Sequence, residues 1–266
     1  MFHLLKIEWL KVKNYRTFWI LSALFLISIF GINYIVFNVQ QKIYNSQQAK
    51  GMAGMILGAP PYSFPTTWQM TSFVSSFLLF IPGLLMIISI TNEYSYKTHR
   101  QNIIDGLSRT QFIVVKMLLA VIMALASSVM VFGTALTFGF IDGSSSLSFE
   151  SFQYIPYFFI QALSFSSVAL LIGVLCRRSG IAIGVYFLYT VVLENVCAGL
   201  LNHYANYSGR YLPLQTTDNL IPLPILRSAQ KQFIPEANIS VLLCLSVVYL
   251  ALYFFIIKRK FETDDL

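Results

Sequence analysis

What this chain has least of is charge. Of its 266 residues only 11% are Asp, Glu, Lys or Arg, 56% are hydrophobic, and the mean hydropathy is +0.67. A soluble domain covers its surface with about 25% charged residues, so a water-soluble globule is excluded and an integral membrane protein is expected. Cysteine is scarce as well. Cys176, Cys197 and Cys244 all lie within apolar runs, which reads as buried reduced thiols and excludes a disulfide framework. Catalytic signatures are missing too: there is no GxxxxGK[ST] phosphate loop, no HExxH, no CxxC and no GxSxG turn. His3, His99 and His203 are scattered along the chain, which argues against a shared metal site. The chain is therefore expected to be no enzyme, to have no catalytic residues, to bind no metal or cofactor, and to hydrolyse no ATP by itself. The net charge of +7 does not point to nucleic acid, because the cations fall at the borders of apolar runs.

Apolar runs are what the chain has in plenty. Segments at about 17–37, 69–90, 117–140, 154–176, 181–201 and 239–257 each approach the ~20 residues that cross a hydrocarbon core ~30 Å thick. The first reads as a retained anchor, since it is long, starts well inside the chain and lacks a small-residue cleavage pattern. The expected fold class is an all-α integral membrane protein: residues 1–16 as an interfacial amphipathic helix, 17–257 as a six-helix transmembrane domain, and 258–266 as a tail.

Orientation follows from the basic residues. With the N-terminus in the cytoplasm, the inner side holds Lys6, Lys11, Lys13, Arg16, Lys97, Arg100, Arg109, Lys116, Arg177, Arg178, Lys258, Arg259 and Lys260. The outer side holds Lys42, Lys50, Arg210, Arg227 and Lys231. This bias predicts both termini inside, with the loops 38–68 and 202–238 facing outward. In residues 1–16, Phe2, Leu5, Trp9 and Val12 recur at helical spacing among Lys6, Lys11, Lys13 and Arg16. That pattern suits a helix lying on anionic membrane lipid, either as a leader that sets topology or as a surface that also touches a cytosolic partner.

Polar residues inside the runs are few. Thr71, Ser72, Ser75 and Ser76 fall in the outer half of the second run, where they either line a polar path or bond to carbonyls of the preceding turn. Pro82 should kink that helix. Glu194, beside Asn195, is the sole carboxylate within a predicted span. It reads either as a functional group or as a pin between helices. The segment 202–238 mixes aromatics, leucines and prolines, which suits short re-entrant helices dipping into the outer leaflet.

The longest polar interval on the predicted inner side is 91–116, TNEYSYKTHRQNIIDGLSRTQFIVVK. Glu93 closes the second span, Lys97-Thr98 follows, and then come Ile103-Ile104-Asp105-Gly106-Leu107-Ser108-Arg109, Phe112 and Lys116. This order resembles the loop after span two in permeases of the ABC-2 type: an acidic residue, a Gly-Thr-like pair, a short apolar helix, a Ser-Arg pair and a lysine opening span three. Here Lys97-Thr98 stands in place of Gly-Thr, and Asp105-Gly106 where many members have an apolar pair. The resemblance covers the layout of the whole chain and implies an ABC-2 (type V exporter-like) permease fold. It also implies a coupling helix near 99–111 that docks on a separate cytosolic ABC ATPase, with ATP and Mg held by that partner. Glu93, Arg100, Ile103, Ile104, Leu107, Arg109 and Lys116 are the expected coupling residues. Ile103, Ile104 and Leu107 would present an apolar ridge, flanked by Arg100 and Arg109, while Glu93 and Lys116 bracket the loop and would hold it closed. A second permease copy or a sibling would complete the path, lined by Thr71, Ser72, Ser75, Ser76, Glu194 and Asn195. The implied function is export across a bacterial cytoplasmic membrane. The alternatives are an ATPase-independent channel or ion-coupled carrier, and a membrane enzyme or scaffold.

Overall fold

A computed structural model describes residues 2–45, 62–104, 106–142, 146–224 and 237–263. The described residues are mainly helical, with no strand among them. In chain order the helices are α1 (Phe2–Lys13), α2 (Arg16–Asn45), α3 (Thr67–Ser76), α4 (Phe80–Ser95), α5 (Thr98–Ile104), α6 (Arg109–Asp142), α7 (Tyr154–Cys176), α8 (Ser179–Phe187), α9 (Glu194–Tyr204), α10 (Gln215–Asp218) and α11 (Ile239–Thr263). A π turn, Leu188–Leu193, joins α8 to α9, and a 3₁₀ turn, Ser208–Tyr211, precedes α10. Among the described residues five helical stretches are long and apolar enough to cross a membrane, and six if the bent pair α3–α4 is one span. Much of the Gly-, Pro- and Met-rich part of the first loop, 46–61, and of the segment 225–236 lies outside the described residues.

The second span is broken, and the break sits earlier than a kink at Pro82 would put it. Helices α3 and α4 meet at 47° across Phe77–Leu79. Pro82 has no N–H for the carbonyl of Leu78 and its ring crowds that carbonyl. The chain answers with tighter three-residue bonds: Leu78 N to Ser75 O at 3.0 Å, Leu79 N to Ser76 O at 3.1 Å, and Ile81 N to Leu78 O at 3.0 Å. Proline thus moves the distortion to the turn that precedes it.

Helix α7 is the centre of the bundle. Its apolar window is 67% buried, whereas those of α2 and α11 are each 17% buried and present wide apolar faces outward. Close approach of α7 to α4 needs Gly173, where a Cβ would collide with Ile90. A Cβ at Gly83 would likewise collide with the ring of Tyr186 on α8. With 34 residues, α6 is about 50 Å long, well beyond a ~30 Å hydrocarbon core. The predicted third span, 117–140, is therefore the middle of a longer rod that already starts at Arg109. The expected coupling helix near 99–111 resolves accordingly into two pieces, α5 and the first turn of α6. Likewise the predicted tail from 258 continues α11 as helix to Thr263.

Helix α1, the end of α4, α5, the turn at 177–178, the start of α6 and the last turn of α11 gather at one end of the bundle. Lys11 meets Glu93, Arg177 stacks over the Tyr94 ring at 5.7 Å, and Phe112 stacks on Phe261 at 4.8 Å.

Candidate functional site

At that end four charged side chains converge. Lys116 lies two turns into α6 and its side chain is 1% exposed. Its ammonium donates to Glu8 Oε2 of α1 at 2.5 Å and to Glu93 Oε1 of α4 at 3.0 Å. Lys11, one turn after Glu8, donates to Glu8 Oε1 at 3.0 Å and to Glu93 Oε1 at 2.8 Å. The second oxygen of Glu93 accepts from Thr98 Oγ1, the first residue of α5, at 2.5 Å. His99 Nδ1 donates to the Glu93 backbone carbonyl at 2.9 Å, and its ring lies 4.8 Å from that of Tyr94. Two cations and two carboxylates balance, and each carboxylate oxygen has a donor, the condition under which buried charge is tolerable. Burial works against the charged form of Lys11, but Glu8 and Glu93 outweigh it and raise its pKa, so it stays protonated.

The cluster ties three long elements to one short one. Glu8 and Lys11 hold α1, Glu93 holds the end of α4, Lys116 holds α6, and Thr98 anchors α5. The chain reverses between α4 and α5 at Lys97, which adopts a left-handed φ of 56°. Glu93 and Lys116 pair as expected from their places around the loop, while Glu8 and Lys11 join them only through the fold. The available signal was that Glu8 is the sole carboxylate in residues 1–16, one helical turn before a lysine.

The remaining candidates on this loop separate into two groups. Ile104 is 78% exposed and Arg100 is also exposed. Ile103 and Leu107, by contrast, are partly buried against the core, so the expected three-residue apolar ridge reduces to Ile104. A short helix shows only one side once its other side is packed. Arg109 turns inward: its Nη1 donates to the carbonyls of Phe261 at 3.2 Å and Glu262 at 2.6 Å. It thereby caps the C-terminal end of α11, where carbonyls lack intrahelical partners and the dipole favours a cation. Thr110 adds a bond to Glu262 at 3.0 Å.

Toward the other end of the bundle the hydroxyls of α3 face the interior. Thr71 and Ser72 are fully buried. Ser75 accepts from Asn33 Nδ2 at 3.0 Å, and Asn33 Oδ1 accepts from Tyr62 at 2.8 Å. Ser76 bonds back to Phe73 O at 2.7 Å. Asn33 and Tyr62 were not anticipated as partners of this row.

Glu194 is buried and acts on the following segment. Its Oε1 accepts the backbone N–H groups of Leu214 and of Gln215, the latter at 3.0 Å, and Asn195 Oδ1 accepts from the Gln215 side chain at 3.0 Å. The π turn makes this possible. In an unbroken α-helix Glu194 would stand about 120° around the axis from the buried Ala182. The extra residue held by the wider π turn returns it to about 20°, so that Ala182, Tyr186, Glu194 and Ala198 share one buried face. No residue of Leu188–Leu193 is buried. Asp218, at the end of α10, accepts from Gln161 of α7 at 2.8 Å. Burial raises its pKa to about 7, with the Gln161 bond opposing and the charge of Glu194 adding to the rise.

Compared with known proteins, the chain matches the family described as "ABC-2 family transporter protein" over residues 4–193. The matched stretch takes in the four-charge cluster and α5 and ends with the π turn. No curated protein matches the sequence.

Proposed function

The chain belongs to the ABC-2 family of multi-pass transporter membrane proteins, and from that premise we propose that it is the permease subunit of an exporter driven by a separate cytosolic ABC ATPase. The observation that carries this reading is the contrast within α5. Thr98 and His99 at its start are bonded to Glu93, while Ile104 at its end projects with 78% of its surface exposed. An anchored helix that shows one apolar residue beside the exposed Arg100 is suited to insertion into a groove of another protein. A push on α5 would pass through Glu93 into the broken span α3–α4, and through Lys116 and Glu8 into α6 and α1. ATP and Mg would sit on the partner, with no cofactor on this chain.

The end of the bundle carrying both termini is assigned to the cytoplasm of a bacterial inner membrane, on the charge bias of the loops. Helix α1 then lies along the inner surface, with Trp9 and Trp19 in edge contact at 6.3 Å as an interfacial anchor. A second copy or a sibling permease completes the path. The α3 hydroxyls, Glu194 and Asn195 belong to its wall, Glu194 by holding α10 in place. Tagged chain purified from its own membrane should carry a Walker-motif ATPase. Ile104→Asp at normal abundance should lose that partner. Transport by the purified chain in vesicles without any ATPase would overturn the proposal in favour of a channel or ion-coupled carrier.

A further inference from the structure

Beside the four-charge cluster lies a half-open cavity of about 190 Å³, lined from α1, the start of α2, and α4–α6. Its long wall is a stripe of α4 and the residue that caps it: Leu85, Ile88, Ser89, Asn92 and Tyr96 follow at helical spacing and span about 16 Å. Val12 and Phe18 add apolar lining and Tyr15 adds a hydroxyl, while Lys11 is fixed at the polar end by its bond to Glu93. The wall therefore grades from aliphatic to hydroxyl to amide to cation over the depth that separates the bilayer interior from its inner surface.

The polar end has capacity to spare. The side chains of Tyr15, Ser89 and Asn92 make no hydrogen bond among the described residues, and Lys11 commits two of its three protons to Glu8 and Glu93. Each of these groups can donate, and Glu8 and Glu93, which also line the cavity, have their oxygens engaged by the two lysines and Thr98. The chain adds exposed cations beside the lining, Arg16 next to Tyr15 and Lys97 between Tyr96 and Thr98. A cavity of this size, open on one side, is large enough to admit a stretch of alkyl chain.

We propose that this cavity binds an anionic phospholipid of the inner leaflet. One acyl chain lies against Leu85, Ile88 and Phe18, and the phosphate meets the free donors of Lys11, Asn92 and Tyr15. The occupant wedges between α1 and α4, so the position of α1 depends on the lipid. The choice of leaflet rests on the orientation proposed above, whereas the cavity and its donors are independent of any ATPase.

The test uses the full chain in nanodiscs of phosphatidylcholine with a trace of phosphatidylglycerol bearing a photoactivatable group in its upper acyl chain. Labelled positions are mapped by mass spectrometry. Labelling is expected to concentrate around Leu85 and Ile88 over the exposed α11 residues Val247 and Val248, which face lipid without a cavity. Loss of one hydrogen bond to a charged head in Asn92→Leu should raise the half-saturating lipid fraction about tenfold. Tyr15→Phe, which removes only a hydroxyl, should shift it in the same direction and guards against a folding defect in the first variant. Equal labelling of α4 and α11, labelling unchanged in both variants, or its removal by inorganic phosphate alone would overturn the proposal.

Discussion

Replacing Lys116 with methionine is the sharpest perturbation of the cluster. The side chain is 1% exposed and supplies two charge-assisted bonds, to Glu8 Oε2 and Glu93 Oε1. Methionine keeps the length and the apolar stem but leaves Lys11 alone between two buried carboxylates. Glu8 Oε2 then has no donor, and removing one partner of a buried pair costs about 3–5 kcal/mol. For a chain of this size that corresponds to a fall in melting temperature of about 10 °C, measured by thermal unfolding in detergent. Adding Glu8→Gln to Lys116→Met restores one cation to one carboxylate, Lys11 to Glu93. The double variant should therefore melt above the single Lys116→Met variant, with a coupling of about 2 kcal/mol between the sites. A shift of under about 3 °C for Lys116→Met, or strictly additive effects, would refute the view that these charges form one unit.

Further outcomes follow from other contacts. Glu194→Ala strips the acceptor from Leu214 N and Gln215 N and should free residues 208–221 to proteolysis, at a cost of about 2–3 kcal/mol; protection equal to the native chain would count against the pinning role. Asp218 holds its proton more tightly in the folded chain than an ordinary carboxyl does, so stability should decline as pH rises from about 4 toward about 7. Asp218→Asn should flatten that decline in melting curves taken across the window, and an unchanged slope would be contrary. Gly83→Val would drive a side chain into the Tyr186 ring and should lower the melting temperature by several degrees, as overpacking costs about 1–3 kcal/mol.

What could be read in advance divides along physical lines. The membrane-crossing helices are legible because apolar length is a local property, and α7 and α11 fall within a few residues of the apolar runs that predict them. The kink from Pro82 is legible as well, but its place is not, since the strain falls on the carbonyl four residues earlier. The π turn leaves no pattern of its own; it shows only in the buried face that joins Ala182 and Tyr186 to Glu194. Glu93 and Lys116 stand out in sequence because they border the polar interval between two apolar runs. Glu8 does not, since its partner Lys116 is 108 residues away and a carboxylate among lysines reads as an ordinary surface pair. Arg109 was expected to face a partner protein, and its real acceptors are carbonyls 152 and 153 residues further on. The ridge of Ile103, Ile104 and Leu107 is narrowed for a related reason: the packed and free sides of a short helix and the turn after it are set by neighbouring helices, which leave Ile103 and Leu107 partly buried.

The central claim, that α5 is the point where an ATPase takes hold, is tested most directly by site-specific crosslinking. Single variants Ile104→Cys and Ile103→Cys would be expressed with the co-purifying ATPase in a chain whose Cys176, Cys197 and Cys244 are replaced by serine, and treated with a short thiol-to-amine crosslinker. The account predicts a permease–ATPase adduct from Ile104→Cys, where the position is 78% exposed, and little or none from Ile103→Cys, which packs against the core. Equal adducts from both positions, or an ATPase that co-purifies yet never joins Ile104→Cys, would contradict it.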